Sequence, residues 1–246
     1  MGSEMCIRDS IIEMTCAASA KGAATIALTN TPGAPLAEVA DHTLELHAGP
    51  EQSVAATKTF VSSALALAIF SAELAGDTDF LDSLSSLPDA LDAATRCDWS
   101  VVAEAVIPAG SLYCLGRGPA WAIAGEAALK FKETAQIHAE SFSSAEVMHG
   151  PVSIVERGFP ILTFTAADAA EQGVVDVARS MAAKGAKVFT TSPGAPGALP
   201  TIRTGHALTD PLALIVSFYG LVEQVAVAKG LDPDRPPHLR KETATT

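Results

Sequence analysis

The feature that most constrains the fold is a pair of duplicated tetrapeptides. Ala20-Lys21-Gly22-Ala23 recurs as Ala183-Lys184-Gly185-Ala186, and Pro32-Gly33-Ala34-Pro35 recurs as Pro193-Gly194-Ala195-Pro196. Each first tetrapeptide is followed by a short apolar run, and each second one closes that run. A helix end, a strand and a turn repeated in this order predict two copies of one α/β unit. In the second copy a strand, a helix, a charged stretch, a strand and another helix precede Ala183. In the first copy only twenty residues precede Lys21, and Met1 to Ser10 carry no helical or strand period and read as foreign. The first copy is therefore expected to lack its opening strand–helix–strand, and a chain so shortened is expected to be a poor enzyme.

The rest of the chain fits this frame. Residues 24–29, 42–47, 111–115, 160–165 and 187–191 read as strands, because short apolar or alternating runs are bounded by Gly, Pro and Asn. Residues 11–20, 53–74, 81–96, 100–106, 119–134, 169–183 and 211–228 read as helices. Strands alternating with helices imply parallel sheets with helices on both faces. The expected divisions are residues 1–10, 11–96 for the first copy with its linker helices, 97–231 for the second copy, and 232–246 for a tail with three prolines and no period.

Composition narrows the partners. The net charge is −12, which argues against nucleic acid or an anionic membrane, since neither attracts an acidic surface. A small anionic substrate needs only a local positive pocket and stays open. Cys6, Cys16, Cys97 and Cys114 show no CxxC spacing and no clustering with His, which argues against zinc and a disulfide framework. Cys114 reads as a buried small hydrophobe, and free thiols suggest a reducing cytoplasm. No apolar run reaches the ~18 residues of a membrane span; the longest, 61–69, is too short.

Residues 126–151, EAALKFKETAQIHAESFSSAEVMHGP, gather four Glu, two His and two Lys in a chain of which only 18% of residues are charged. They follow Leu115-Gly116-Arg117-Gly118, a strand end turning into a helix. On that helix Ala124, Ala127, Ala128 and Phe131 share one face, and Glu126, Lys130 and Glu133 share the opposite one. Taken alone, the second face reads as solvated, with an i,i+4 Glu–Lys pair worth about 0.3–0.5 kcal/mol. The sequel shifts the balance: His138, Glu140, Glu146 and His149 follow closely, and His149-Gly150-Pro151 sets a turn. A carboxylate on a rigid helix with a His on an adjoining loop suits proton transfer between neighbouring carbons, where one group takes a proton and returns it next door. A metal site built from His138, Glu140 and His149 is the weaker reading, since such neighbours are more often hydrogen-bonded partners.

The stretch LGRGPAWAIAGEAALKFKETAQIHAESFSSAEVMHGP resembles the second half of the double sugar-isomerase (SIS) domain proteins, which include the isomerase part of glucosamine-6-phosphate synthase and the SIS-type amino-sugar-phosphate deaminases. The likeness extends to GPEQSVAATKTF (49–60) and HLRK (238–241). It implies tandem three-layer αβα, flavodoxin-like domains with parallel sheets, the first copy incomplete. It also implies a homodimer, a hexose phosphate or hexosamine phosphate substrate, and no cofactor. By motif, Glu133 resembles the base that moves a proton between C1 and C2. His149 resembles the ring-opening residue delivered across the dimer, and Lys241 the tail lysine that closes over the sugar. Glu126 and Lys130 match site-lining positions, and Val54 and Ala55, after Glu51, match positions beside the sugar. Without the resemblance, residues 54–56 read as a helix start and Lys241 as a frayed terminus. One departure is plain. The family's Ser/Thr-rich phosphate loop falls where Cys6-Ile7-Arg8-Asp9-Ser10 stand, so no residue is assigned that role.

Three functions follow from the resemblance. The leading one deaminates and isomerises a hexosamine 6-phosphate to a ketohexose 6-phosphate. The runner-up runs in the synthetic direction with ammonia from a glutaminase domain; residues 141–148 favour the stand-alone deaminases. The third is a sugar-phosphate-sensing regulator, which would carry one copy and a basic helix-turn-helix.

Overall fold

The structure, a computed structural model, describes residues 4–239, with side chains from residue 10. The chain divides into two compact units. One holds the residues up to Leu74 together with those from Asp234; the other runs from Ala75 to Pro233.

The first unit opens with α1 (Glu4–Ala20), followed by β1 (Ile26–Thr29), α2 (Pro35–Val39), β2 (His42–Glu45) and α3 (Lys58–Ala75). The two strands pair in parallel, Ile26 opposite His42 through Thr29 opposite Glu45. Asp41 pins the start of the pair by accepting from Thr25 N and Thr25 Oγ1, both at 2.8 Å. Two sequence expectations change here. Helix α1 reaches back to Glu4, into the segment read as aperiodic, and α3 starts at Lys58 rather than Ser53, for a reason given below.

The second unit contains α4 (Thr78–Ser85), α5 (Leu87–Ala94), α6 (Ser100–Val106), β3 (Ser111–Gly116), α7 (Ala120–Ala135), β4 (His138–Ser143), β5 (Pro160–Phe164), α8 (Glu171–Ala183), β6 (Lys187–Thr190) and α9 (Asp210–Ala228). Two 3₁₀ turns, Glu146–His149 and Pro151–Ile154, join β4 to β5. The sheet order is β4-β3-β5-β6, and all pairs are parallel. Every residue of β5 is buried, as a central strand covered on both faces requires. The edge strand β4 was not legible as a strand. Its His138 and Glu140 are exposed and only Ala139 is fully buried between them, so its charges hide a period that one covered face suffices to set.

The helix predicted over 81–96 is two helices, broken at Ser86 with Pro88 in the first turn of α5, where a missing N–H costs nothing. The linker helices α4 and α5 lie in the unit that begins at Ala75, where α5 packs on α9. Leu87 and Ala94 are buried there, and Ser217 Oγ donates to Ala94 O at 2.9 Å.

The duplicated tetrapeptides build duplicated geometry. Gly22 has φ +83° and Gly185 φ +97°, the left-handed conformation that ends a helix at low cost only with glycine. The following alanines reach back alike: Ala23 N donates to Ala18 O at 3.1 Å, and Ala186 N to Met181 O at 3.2 Å. Gly33 and Gly194 have φ +71° and +76°, in turns where Ala34 N donates to Thr31 O and Ala195 N to Ser192 O.

By length and composition only, α3 and α9 are each long and apolar enough to cross a membrane. Helix α9 is mostly buried within its unit. Cys114 is fully buried, and burial holds its thiol well above the usual range.

Candidate active site

Helix α7 carries the candidate site residues Glu126, Lys130 and Glu133, and their setting follows from how the helix begins and what covers it. At Gly116 an added Cβ would lie 2.6 Å from Ala120 O and 2.9 Å from Trp121 Cα, so only glycine lets β3 turn this tightly into α7. On one side α7 packs on β3 and β4, and it also packs on α9. Phe131 and Phe218, both fully buried, meet edge to face with centroids 5.1 Å apart and planes at 78°, a favoured aromatic geometry. The contact sets α9 against α7.

The consequence is that the Glu126–Lys130–Glu133 face is not a solvated one. The Lys130 and Glu126 side chains are 7% and 9% exposed, and Glu133 is 24% exposed. Lys130 Nζ donates to Glu133 Oε2 at 2.7 Å and lies 3.3 Å from Glu126 Oε1. A buried ammonium needs such partners, because leaving water is costly for an unpaired charge. Glu133 stands in the last turn of α7, where the exposed carbonyl ends disfavour a negative charge, and the Lys130 ammonium offsets that. Tyr219 on α9 donates to Glu126 Oε1 at 3.0 Å. Tyr219 was not read as a site residue, since nothing in the local pattern of α9 points it at α7.

His149 ends the first 3₁₀ turn and is exposed, while Val147 in the same turn is fully buried and anchors it. Tyr113 Oη donates to Pro151 O at 2.9 Å, which ties the turn after His149 to β3. Among the described residues no hydrogen bond or ion pair joins His149 to the Glu126–Lys130–Glu133 cluster. His138 Nδ1 lies 3.3 Å from Ser111 Oγ at the exposed sheet edge. No group of three or more His, Cys, Asp or Glu among the described residues is placed to hold a metal.

In the first unit Glu51 is a helix cap. Its Oε1 accepts from Thr57 N at 2.8 Å and Lys58 N at 3.2 Å, and its Oε2 from Thr59 N at 3.2 Å and Thr59 Oγ1 at 3.1 Å. These are the orphan N–H groups at the start of α3, and their capture delays the helix to Lys58. Partial burial pushes the Glu51 carboxyl up, but the donors at Thr57, Thr59 and Lys58 outweigh it and hold it below the usual range. The cap shapes residues 51–57, which carry Val54 and the buried Ala55. The same loop holds the tail: Val54 N donates to Asp234 O at 3.1 Å, and Ser53 Oγ donates to the Asp234 carboxylate. Asn30, Thr31, Glu45, His47, Gly49 and Glu51 line a cavity of about 500 Å³ nearby. Lys241 lies outside the described residues.

The chain resembles known proteins. Glutamine–fructose-6-phosphate aminotransferase (isomerizing) of Aeropyrum pernix is 38% identical over 242 residues, which take in 90% of this chain and 39% of that protein's length. Among solved structures, a Silicibacter pomeroyi DSS-3 protein assigned as a phosphosugar isomerase is 54% identical with a TM-score of 0.86, covering 91% of this chain and 69% of that one. The C-terminal domain of glucosamine-fructose-6-phosphate aminotransferase from Francisella tularensis is 26% identical with a TM-score of 0.83, covering 92% and 69%. The SIS domain family matches residues 9–72 and 106–227. Matched over most of its length on both units, the chain belongs to the SIS (sugar isomerase) domain family.

Proposed function

We propose that this sugar isomerase site converts a hexosamine 6-phosphate to a ketohexose 6-phosphate and ammonia, by moving a proton between C1 and C2. The observation that supports it is the state of Glu133. One of its oxygens is tied to a buried ammonium, and the side chain keeps partial access to solvent. A general base must be both held and reachable. The proton leaves C2 to Glu133, and the electron pair forms the C1–C2 enolamine. Return of the proton at C1 leaves an imine at C2, which water hydrolyses to the ketone and ammonia.

In this reading His149 opens the sugar ring, from an exposed turn suited to reaching a second copy in a homodimer, and Lys241 closes over the sugar. Glu126 and Lys130 line the site and orient Glu133, while Glu51 shapes the loop that carries Val54 and Ala55. The reaction needs no cofactor and suits a cytoplasmic enzyme. The test is Glu133→Gln, followed by solvent-deuterium exchange at C1 and C2 of glucosamine 6-phosphate and fructose 6-phosphate. Loss of a positioned base costs about 10²- to 10⁴-fold in rate, with the circular dichroism spectrum unchanged. Near-normal exchange by the variant would remove Glu133 from this role.

A second reading runs the same proton transfer from the ketose toward the amino sugar. The name of the Aeropyrum pernix relative favours it, and ammonia-dependent formation of glucosamine 6-phosphate separates the two directions.

A further inference from the structure

Two donors converge on one oxygen of Glu126. Tyr219 Oη donates to Oε1 at 3.0 Å, and Lys130 Nζ lies 3.3 Å from the same atom without a hydrogen bond to it, its hydrogen bond going instead to Glu133 Oε2 at 2.7 Å. An ammonium between two carboxylates, one four residues before it and one three after, can divide its three N–H donors unequally between them. What distinguishes them here is the hydroxyl already on Glu126. We propose that Tyr219 is a positioning residue of the proton-transfer site: by occupying Glu126 Oε1 it directs the Lys130 hydrogen bond to Glu133 and so fixes the base.

The physical argument is one of satisfaction. Glu126 is almost wholly buried, and a buried carboxylate that loses a donor recovers one from the nearest source. Without the Tyr219 hydroxyl that source is Lys130. Lys130 then turns toward Glu126, and Glu133, the most exposed of the three, loses the partner that orders it. The hydroxyl arrives on α9, whose register on α7 is fixed by the Phe131–Phe218 contact one residue away. Tyr219 acts through Glu126 and Lys130, and the assignment of Glu133 as the base rests on the function proposed above.

The test separates the two ideas. The chain has only two tyrosines, Tyr113 and Tyr219, so 3-fluorotyrosine labelling gives two ¹⁹F signals, with Tyr113 as internal control. Glu126→Gln and Lys130→Met are each expected to move the Tyr219 signal and leave the other in place; a Tyr219 signal indifferent to both overturns the proposal. The ammonium ¹⁵N signal of Lys130, identified by its loss in Lys130→Met, is expected to shift in Tyr219→Phe, and an unmoved signal also overturns it. Neither spectrum needs turnover. Activity too low to assay on either sugar phosphate would therefore leave Tyr219 to be judged on the spectra alone. In the active enzyme, Tyr219→Phe is expected to lower kcat about tenfold, or about 1.4 kcal/mol, with KM changed less than about twofold. In a Glu126→Ala background the same substitution is expected to add nothing, whereas a merely structural tyrosine would lower activity equally in both backgrounds.

Discussion

Replacing Lys130 with Met keeps the length of the side chain and removes its charge. Two carboxylates then remain on one face of α7 without the ammonium that Nζ supplies at 2.7 Å to Glu133 and 3.3 Å to Glu126. Removing one partner of a buried pair costs about 3–5 kcal/mol, because the charge left behind is uncompensated. Glu133 is partly exposed and can turn toward water, whereas Glu126 cannot, so the lower end, about 3 kcal/mol, is expected. For a domain of this size about 1 kcal/mol moves the melting temperature by 2–4 °C, so the unit from Ala75 to Pro233 should melt about 6–12 °C lower. Differential scanning calorimetry reads this directly. Adding Glu126→Gln to Lys130→Met should restore part of the loss, since the neutral amide oxygen still accepts from Tyr219 and no longer repels Glu133. If Lys130→Met changed stability by no more than an ordinary surface substitution, about ±0.5 kcal/mol, the α7 face would behave as a solvated one and the account of its burial would be wrong.

A second buried pair makes a related prediction. Arg203 Nη1 donates to Asp210 Oδ2 at 2.9 Å and Arg203 Nη2 to Glu171 Oε1 at 2.5 Å, and Asp210 is fully buried at the start of α9. Arg203→Met should therefore destabilise by about 3–5 kcal/mol, visible as a lower urea midpoint, while Arg179→Met, an exposed pair with Asp176, should be nearly silent. Glu51 predicts a pH dependence. Its folded pKa lies below the ordinary 4.5, so its capping contribution is present above that value and is lost as pH falls through the lower folded one. Urea midpoints of wild type should drop more steeply over that acid range than those of Glu51→Gln, and parallel pH profiles would contradict the cap.

Much of this was written locally. The helix ends at Gly22 and Gly185 were legible because a left-handed cap followed by an apolar strand depends on residues a few places apart, and the duplication marked them twice. Strands β3 and β5 were legible because a strand covered on both faces is a continuous apolar run, and β6 because the duplicated tetrapeptides frame it. Glu133, His149 and the loop around Val54 were reached by resemblance of motif, which carries chemistry without geometry. What the chain order does not encode is which face of a helix a distant element will cover. The pattern of α7 offers Glu126, Lys130 and Glu133 to water as readily as to protein. It is α9, some ninety residues later, that packs there and brings Tyr219 to Glu126. The edge strand β4 and the capping role of Glu51 were hidden for the same reason. A charged residue in sequence is scored as wanting water, but in the fold its cost is decided by the donors that happen to meet it, and those come from elsewhere in the chain.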